Sequence, residues 1–176
     1  MIILSAISVE KITPELFSGF IRTQTVDLCR RREGGKWVIK SSPFTDDWSE
    51  KDYAALVISL RNTVSSGGYV VGAFLDGVLK GFASVESEFF GSEKQYLDLS
   101  NLHISADMRR RGIGRDLFRQ AAARAKAMGA KKLYISSHSA VETQAFYFSM
   151  GCRDASEINK ALAEMEPYDC QLECDL

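Results

Sequence analysis

The stretch Arg109-Arg110-Arg111-Gly112-Ile113-Gly114-Arg115 carries the clearest chemistry in the chain. It follows a strand-like segment and opens a helical one. A helix start leaves N–H groups without intrahelical partners and holds the positive end of the helix dipole, so it suits an anion. Glycine lets backbone come close to a phosphate. Arginines raise the local positive charge. The stretch therefore reads as a phosphate or pyrophosphate cradle. A P-loop would need Gly-Lys-Ser/Thr, and Gly114 is followed by Arg115-Asp116. A dinucleotide fingerprint would follow the first strand of a βαβ unit and place a third glycine or alanine where Leu117 stands.

The elements around this cradle are legible from pattern. Residues 2–10 read as a first strand. Thr13-Pro14 reads as a helix start, with Leu16, Phe17, Phe20 and Ile21 as its apolar face. Residues 23–48 read as less regular. Ser49 with Asp52 caps a helix whose buried stripe is Tyr53, Leu56, Val57 and Leu60, closed by Gly67-Gly68. Tyr69–Leu75, Asp76-Gly77 and Val78–Glu86 form a hairpin with a two-residue turn. In Tyr96–Ile104, Leu97 and Leu99 hold one phase of the alternation, and Leu102 and Ile104 hold the other. Strand side chains alternate with period two, so a phase change predicts a β-bulge near Ser100-Asn101. Ile113, Leu117, Ala121, Ala125 and Met128 predict a helix from Gly112 to Met128, ended by Gly129. Then come a strand at Leu133–Ser136, a helix at Glu142–Met150, a short strand at Cys152–Asp154, a helix at 156–165 and a last strand at Tyr168–Cys174.

Composition limits the function classes. The 176 residues suit one domain, 1–176, and 45% are hydrophobic, enough for a core. A net charge of −1 gives no global field toward nucleic acid or a membrane. Cys29, Cys152, Cys170 and Cys174 show no zinc spacing and read as core thiols. The apolar start lacks a basic leader region, and no apolar run spans a bilayer, so a cytoplasmic protein is expected.

Three motifs together, Leu102-His103-Ile104, Arg109-x-x-Gly112-x-Gly114 and Phe146-Tyr147-x-x-x-Gly151-Cys152, resemble the GNAT (N-acetyltransferase) superfamily over about residues 1–154. The resemblance implies an α/β (α+β) fold: a mixed, mostly antiparallel central sheet, helices on both faces, and a bulged fourth strand splayed from the fifth. It implies that backbone N–H groups from Arg109 to Arg115 hold the pyrophosphate of acetyl-CoA. Arg109 and Arg110 would add side-chain charge. Backbone of Leu102, His103 and Ile104 would pair with the pantetheine arm as a strand does. Tyr147 takes the family's general-acid position and would protonate the coenzyme A thiolate. Asp98 stands where the family often has Glu and would take the amine's proton through water. His138 and water are the alternatives. His103 and His138 can both reach a cleft, and the structural reading of each stands beside the functional one.

The implied activity is acetyl-CoA-dependent N-acetylation of a small-molecule primary amine by direct transfer in a ternary complex, with no metal. A non-catalytic acyl-CoA-binding or metabolite-sensing module is the alternative, and a homodimer is compatible with either. Residues 23–50 and 87–94, with Trp37, Phe44, Trp48, Phe89, Phe90, Arg30, Arg31, Arg32, Glu33, Asp46, Asp47 and Glu88, are the expected acceptor region.

Overall fold

Asp76 and Gly77 both adopt positive φ (50° and 82°), the mirror-image turn whose twist matches the strands it joins. It links β4 (Tyr69–Leu75) to β5 (Val78–Val85) in this computed structural model, which describes residues 1–176. The other strands are β1 (Ile2–Ala6), β2 (Thr23–Glu33), β3 (Lys36–Asp47), β6 (Tyr96–Ile104), β7 (Lys132–Ser137), β8 (Arg153–Asp154) and β9 (Cys170–Asp175). The helices are α1 (Glu50–Ser65), α2 (Ile113–Met128), α3 (Val141–Ser149) and α4 (Lys160–Met165). Seven strands form one sheet in the order β1-β4-β5-β6-β7-β9-β8. Every pairing is antiparallel except β6 with β7. This is the mixed, mostly antiparallel sheet expected.

The predicted bulge is present. Ser84 pairs with Asn101 and Val85 with Leu99, so Ser100 is the extra residue. The insertion turns Leu97, Leu99, Leu102 and Ile104 to one face, where all four join the core beneath α2 and α3. Asp98 and His103 are left toward the other face. There α1 and the N-terminal turns form a second core around Phe17, Phe20, Leu60 and Phe82. Ser49 and Asp52 make the reciprocal capping box that starts α1.

Three expectations are corrected. Residues 23–48 are not irregular: β2 and β3 form a long two-stranded hairpin. Its turn is Gly34-Gly35, both at positive φ (55° and 80°), as such a turn requires. Pro43 does not break it, because the register shifts between Val26 and Leu28, opposite Ser42-Pro43, where no ladder N–H is needed. The helix expected after Thr13 is a single 3-10 turn, Pro14–Phe17, and Thr13 makes no side-chain cap. The first strand stops at Ala6, and a 3-10 turn occupies Val9–Lys11. All four cysteines are free and buried. No helix is long and apolar enough to cross a membrane.

Candidate active site

Parallel pairing of β6 with β7 runs only from Tyr96↔Lys132 to Asp98↔Tyr134. Beyond Asp98 the two strands part. β7 turns to β9 on its far side, from Lys132 to Ser137. The β7-facing edge of Leu102-His103-Ile104 therefore meets no strand, while the opposite edge pairs with Gly81, Phe82 and Ala83. An unpaired edge of this kind is a template for an extended ligand.

This edge leads into a cavity of about 700 Å³. Leu102, His103, Ile104, Arg109, Arg110, Gly112, Ile113, Gly114, Arg115 and Tyr147 all line it. The backbone of Arg109–Arg115 leads into a helix start, as its sequence suggests. Gly112 precedes α2 at φ 83°, and no side chain caps the helix, so the first N–H groups of α2 have no intrahelical partner. Arg110 is also left-handed, at φ 62°. Left-handed residues in such loops turn N–H groups into an anion-binding concavity. A Cβ on Gly112 would meet nothing within 4 Å, so the space above it is open to a ligand. Gly114 faces Phe146, 3.4 Å from where its Cβ would be. Arg111 is exposed and does not line the cavity.

Tyr147 is buried at 6% exposure on α3, with Phe146 and Phe118 packed against its ring. Burial raises its pKa, and the neighbouring Cys152, Asp98 and Asp169 add to the rise, so the phenol stays protonated near neutrality. Asp98 is half-buried and outside the cavity lining. Its Oδ1 is enclosed without a hydrogen-bond partner. Burial, then the negative charge of Glu86, pushes its pKa up to about 7. Glu86 itself accepts from Thr63 Oγ1 at 2.9 Å and from Ser100.

The two histidines separate. His103 lines the cavity, its ring 4.8 Å from that of Trp48 and 5.4 Å from that of Phe82. Burial and the nearby Arg22 and Arg109 push its pKa down to about 3, so it is neutral. His138 packs on Phe44 outside the lining, and its Nδ1 accepts from the N–H of Ala140 at 3.1 Å. The neutral ring then carries its proton on Nε2 and has no free lone pair for an amine.

The near wall begins in the expected acceptor region 23–50, although the residues that form it are not the ones singled out there and Arg22 lies just before it. Arg22, Gln24, Thr25 and Asp27, at the start of β2, also line the cavity. The signal was the Gly34-Gly35 pair, a two-residue hairpin turn between two strand-length runs. Residues 87–94 lie elsewhere: Phe90 stacks on Tyr96 and meets Tyr134 edge-on. No group of three or more His, Cys, Asp or Glu side chains is arranged to hold a metal ion.

Comparison with known proteins gives the same picture. The sequence profile of the Acetyltransferase (GNAT) family matches residues 37–151. No curated protein matches the chain by sequence. Among solved structures, nourseothricin acetyltransferase superposes with a TM-score of 0.70 at 16% identity, covering 98% of this chain and 95% of that one. A protein from Bacillus anthracis str. Ames assigned as a streptothricin acetyltransferase, bound to acetyl coenzyme A, gives 0.74 at 11% identity, covering 100% and 99%. PaiA N-acetyltransferase from Thermoplasma acidophilum, bound to coenzyme A, gives 0.61 at 14% identity, covering 100% and 99%.

Proposed function

The chain belongs to the GNAT acetyltransferase family, and we propose that it is an acetyl-CoA-dependent N-acetyltransferase acting on a primary amine of a small molecule. The observation that carries this reading is the open edge of Leu102–Ile104. It runs from the parting of β6 and β7 to a helix start with free N–H groups. An extended thioester with a pyrophosphate at its far end has the same order of parts. The open space at Gly112 fits a phosphate against the backbone of Arg109–Arg115.

The chemistry follows from the groups present. The acceptor arrives as an ammonium ion and must lose a proton before it can attack. Asp98, with its pKa near 7, takes that proton through water. The amine nitrogen then attacks the thioester carbonyl carbon. The tetrahedral intermediate releases the second ammonium-type proton from its nitrogen to solvent and collapses, the C–S bond breaks and an amide remains. Tyr147 donates its phenolic proton to the departing thiolate and is reprotonated from solvent. Burial disfavours a tyrosinate, but it disfavours a thiolate formed in the same site as well, so the transfer stays matched. No acyl-enzyme is needed. Cys152 is buried beside Cys174, and hydrogen bonding to Cys174 and burial both raise its pKa.

The test is thiol release from acetyl-CoA across a panel of primary amines, with mass spectrometry of the products. Amide formation with one or more amines is the expected result. Tight acetyl-CoA binding with no release for any amine would favour a sensing module instead.

A further inference from the structure

Arg22 is the one buried charged side chain on the cavity wall, at 7% exposure. Its Nη2 is ion-paired with Asp46, and its carbonyl accepts from the N–H of Trp48 at 3.3 Å. The guanidinium lies 5.2 Å from the Trp48 ring. Its Nε and Nη1 have no hydrogen-bond partner. Buried N–H donors on a charged group are costly to leave unpaired, and a site that keeps them gains when a ligand satisfies them. The surroundings favour an anion. Arg109 is near enough for the two positive charges to act on each other, and His103 is neutral.

The face of the sheet separates two anions this arginine could meet. His103 and Trp48, against which Arg22 packs, belong to the side of the sheet that carries α1. Leu102 and Ile104 point the opposite way, into the core beneath α2, whose first turn is the phosphate cradle. Arg22 thus enters the cavity from the hairpin, on the side of the sheet that carries α1. A guanidinium matches a carboxylate in both shape and charge, whereas a lysine matches it in charge alone.

We infer that Arg22 is the residue that selects the acceptor, by binding a carboxylate carried on the same small molecule as the reacting amine. The acceptor class is then amino acids and their close relatives rather than simple amines or polyamines. Asp46 holds the guanidinium in place through Nη2 and leaves Nε and Nη1 for the ligand. This inference rests on the N-acetyltransferase reading for the amine, but the carboxylate site can be tested apart from it.

The experiment compares the standard amino acids with their carboxamides, in the wild type and in Arg22→Lys. The lysine variant keeps a charge beside Asp46 and so protects the fold. Thiol release is measured for each probe, acetyl-CoA affinity for each protein, and calorimetric binding of the same probes to protein saturated with coenzyme A. The expected result is a kcat/KM for the best amino acid about 10- to 100-fold above that of its carboxamide. In Arg22→Lys that ratio falls to within about threefold of unity, with acetyl-CoA affinity unchanged. Equal use of acid and amide by the wild type would overturn the inference. So would a loss of acetyl-CoA affinity in Arg22→Lys with the ratio intact, which would assign Arg22 to the coenzyme's phosphates. If nothing is acetylated, carboxylate binding that depends on Arg22 supports the anion site while the transfer reading fails. An absence of any such binding overturns the site.

Discussion

Asp98 on β6 stands opposite Tyr134 on β7 in the last register pair the two strands make. One residue further along β6 comes Leu99, and then Ser100, the inserted residue of the bulge. The carboxyl group is therefore held where the sheet opens. Its backbone carbonyl accepts from the N–H of Glu86 at 2.9 Å, which brings a second acidic residue alongside. Burial and that neighbour explain why its pKa rises to about 7.

A base must be deprotonated to work, so kcat/KM should rise with pH through about 7 as Asp98 ionises. Asp98→Asn should remove that limb and lower kcat/KM by about 10²-fold or more. The same shift affects folding. The folded-state pKa lies above the unfolded value of about 3.9, so the folded state holds the proton more tightly. Stability from this group should fall as pH rises from about 4 to about 7 and stay low above that. Asp98→Asn should accordingly melt higher than wild type at pH 8. A pH–rate limb unchanged in the variant would remove Asp98 as the base.

Tyr147 makes no hydrogen bond through its phenol within the protein, yet its ring is packed on two sides by Phe118 and Phe146. Removing the hydroxyl should leave the packing in place. Tyr147→Phe should lower kcat by about 10²-fold, the usual scale for a positioned acid, with acetyl-CoA affinity nearly unchanged. Acceptors whose transfer is limited by C–S cleavage should suffer most. Full-rate turnover by the variant would exclude Tyr147 as the proton donor.

Much of this arrangement can be read from local patterns. The change of phase between Leu99 and Leu102 marks the bulge because both apolar pairs, Leu97/Leu99 and Leu102/Ile104, must reach one core. Asp76-Gly77 and Ser49–Asp52 mark a turn and a cap because each needs particular side chains at particular spacing. What escaped depends on contacts distant in sequence. Pro43 and the charges of β2 and β3 obscure a hairpin that the Gly34-Gly35 turn closes. Arg22 looks like any surface arginine until Asp46 and Trp48 fold over it. The alternation of Cys170, Leu172 and Cys174 leaves Glu173 pointing outward, but Tyr96 and the segment at Ser156 cover that face as well.

Gly112 supplies a different kind of test. Its φ of 83° is strained for any residue with a Cβ, while the space above it is open. Gly112→Leu should therefore fold, at a cost of about 1 kcal/mol from the backbone. Its side chain would project into the room that a phosphate needs. Acetyl-CoA binding, followed by calorimetry, should be lost, and unchanged affinity would dismiss the cradle as the phosphate site.

Glu173 is a charged residue at 1% exposure in the middle of β9. Burial alone would raise its pKa, but hydrogen bonds from Lys132, Tyr96 and Ser156 outweigh it and bring the carboxyl to about 2. The donors are close: Tyr96 Oη at 2.5 Å, Lys132 Nζ at 2.8 Å, Ser156 Oγ at 2.9 Å, and Arg153 Nη2 at 2.7 Å. A depressed carboxylate pKa contributes stability that is complete above the unfolded value of about 4.3 and is lost as pH falls toward 2. The contribution is on the order of 3 kcal/mol, from a shift of roughly two pH units. Glu173→Gln keeps an acceptor for Tyr96 and Ser156 but leaves Lys132 and Arg153 without their buried counter-charge. Glu173→Ala removes both and should cost about 3–5 kcal/mol. Denaturant unfolding at pH 7 and pH 3 separates the effects. The gap between wild type and Glu173→Gln should narrow at the lower pH, because the wild-type carboxylate is then closer to its own protonation point. A gap that stays constant would mean that Glu173 acts through packing rather than through its charge.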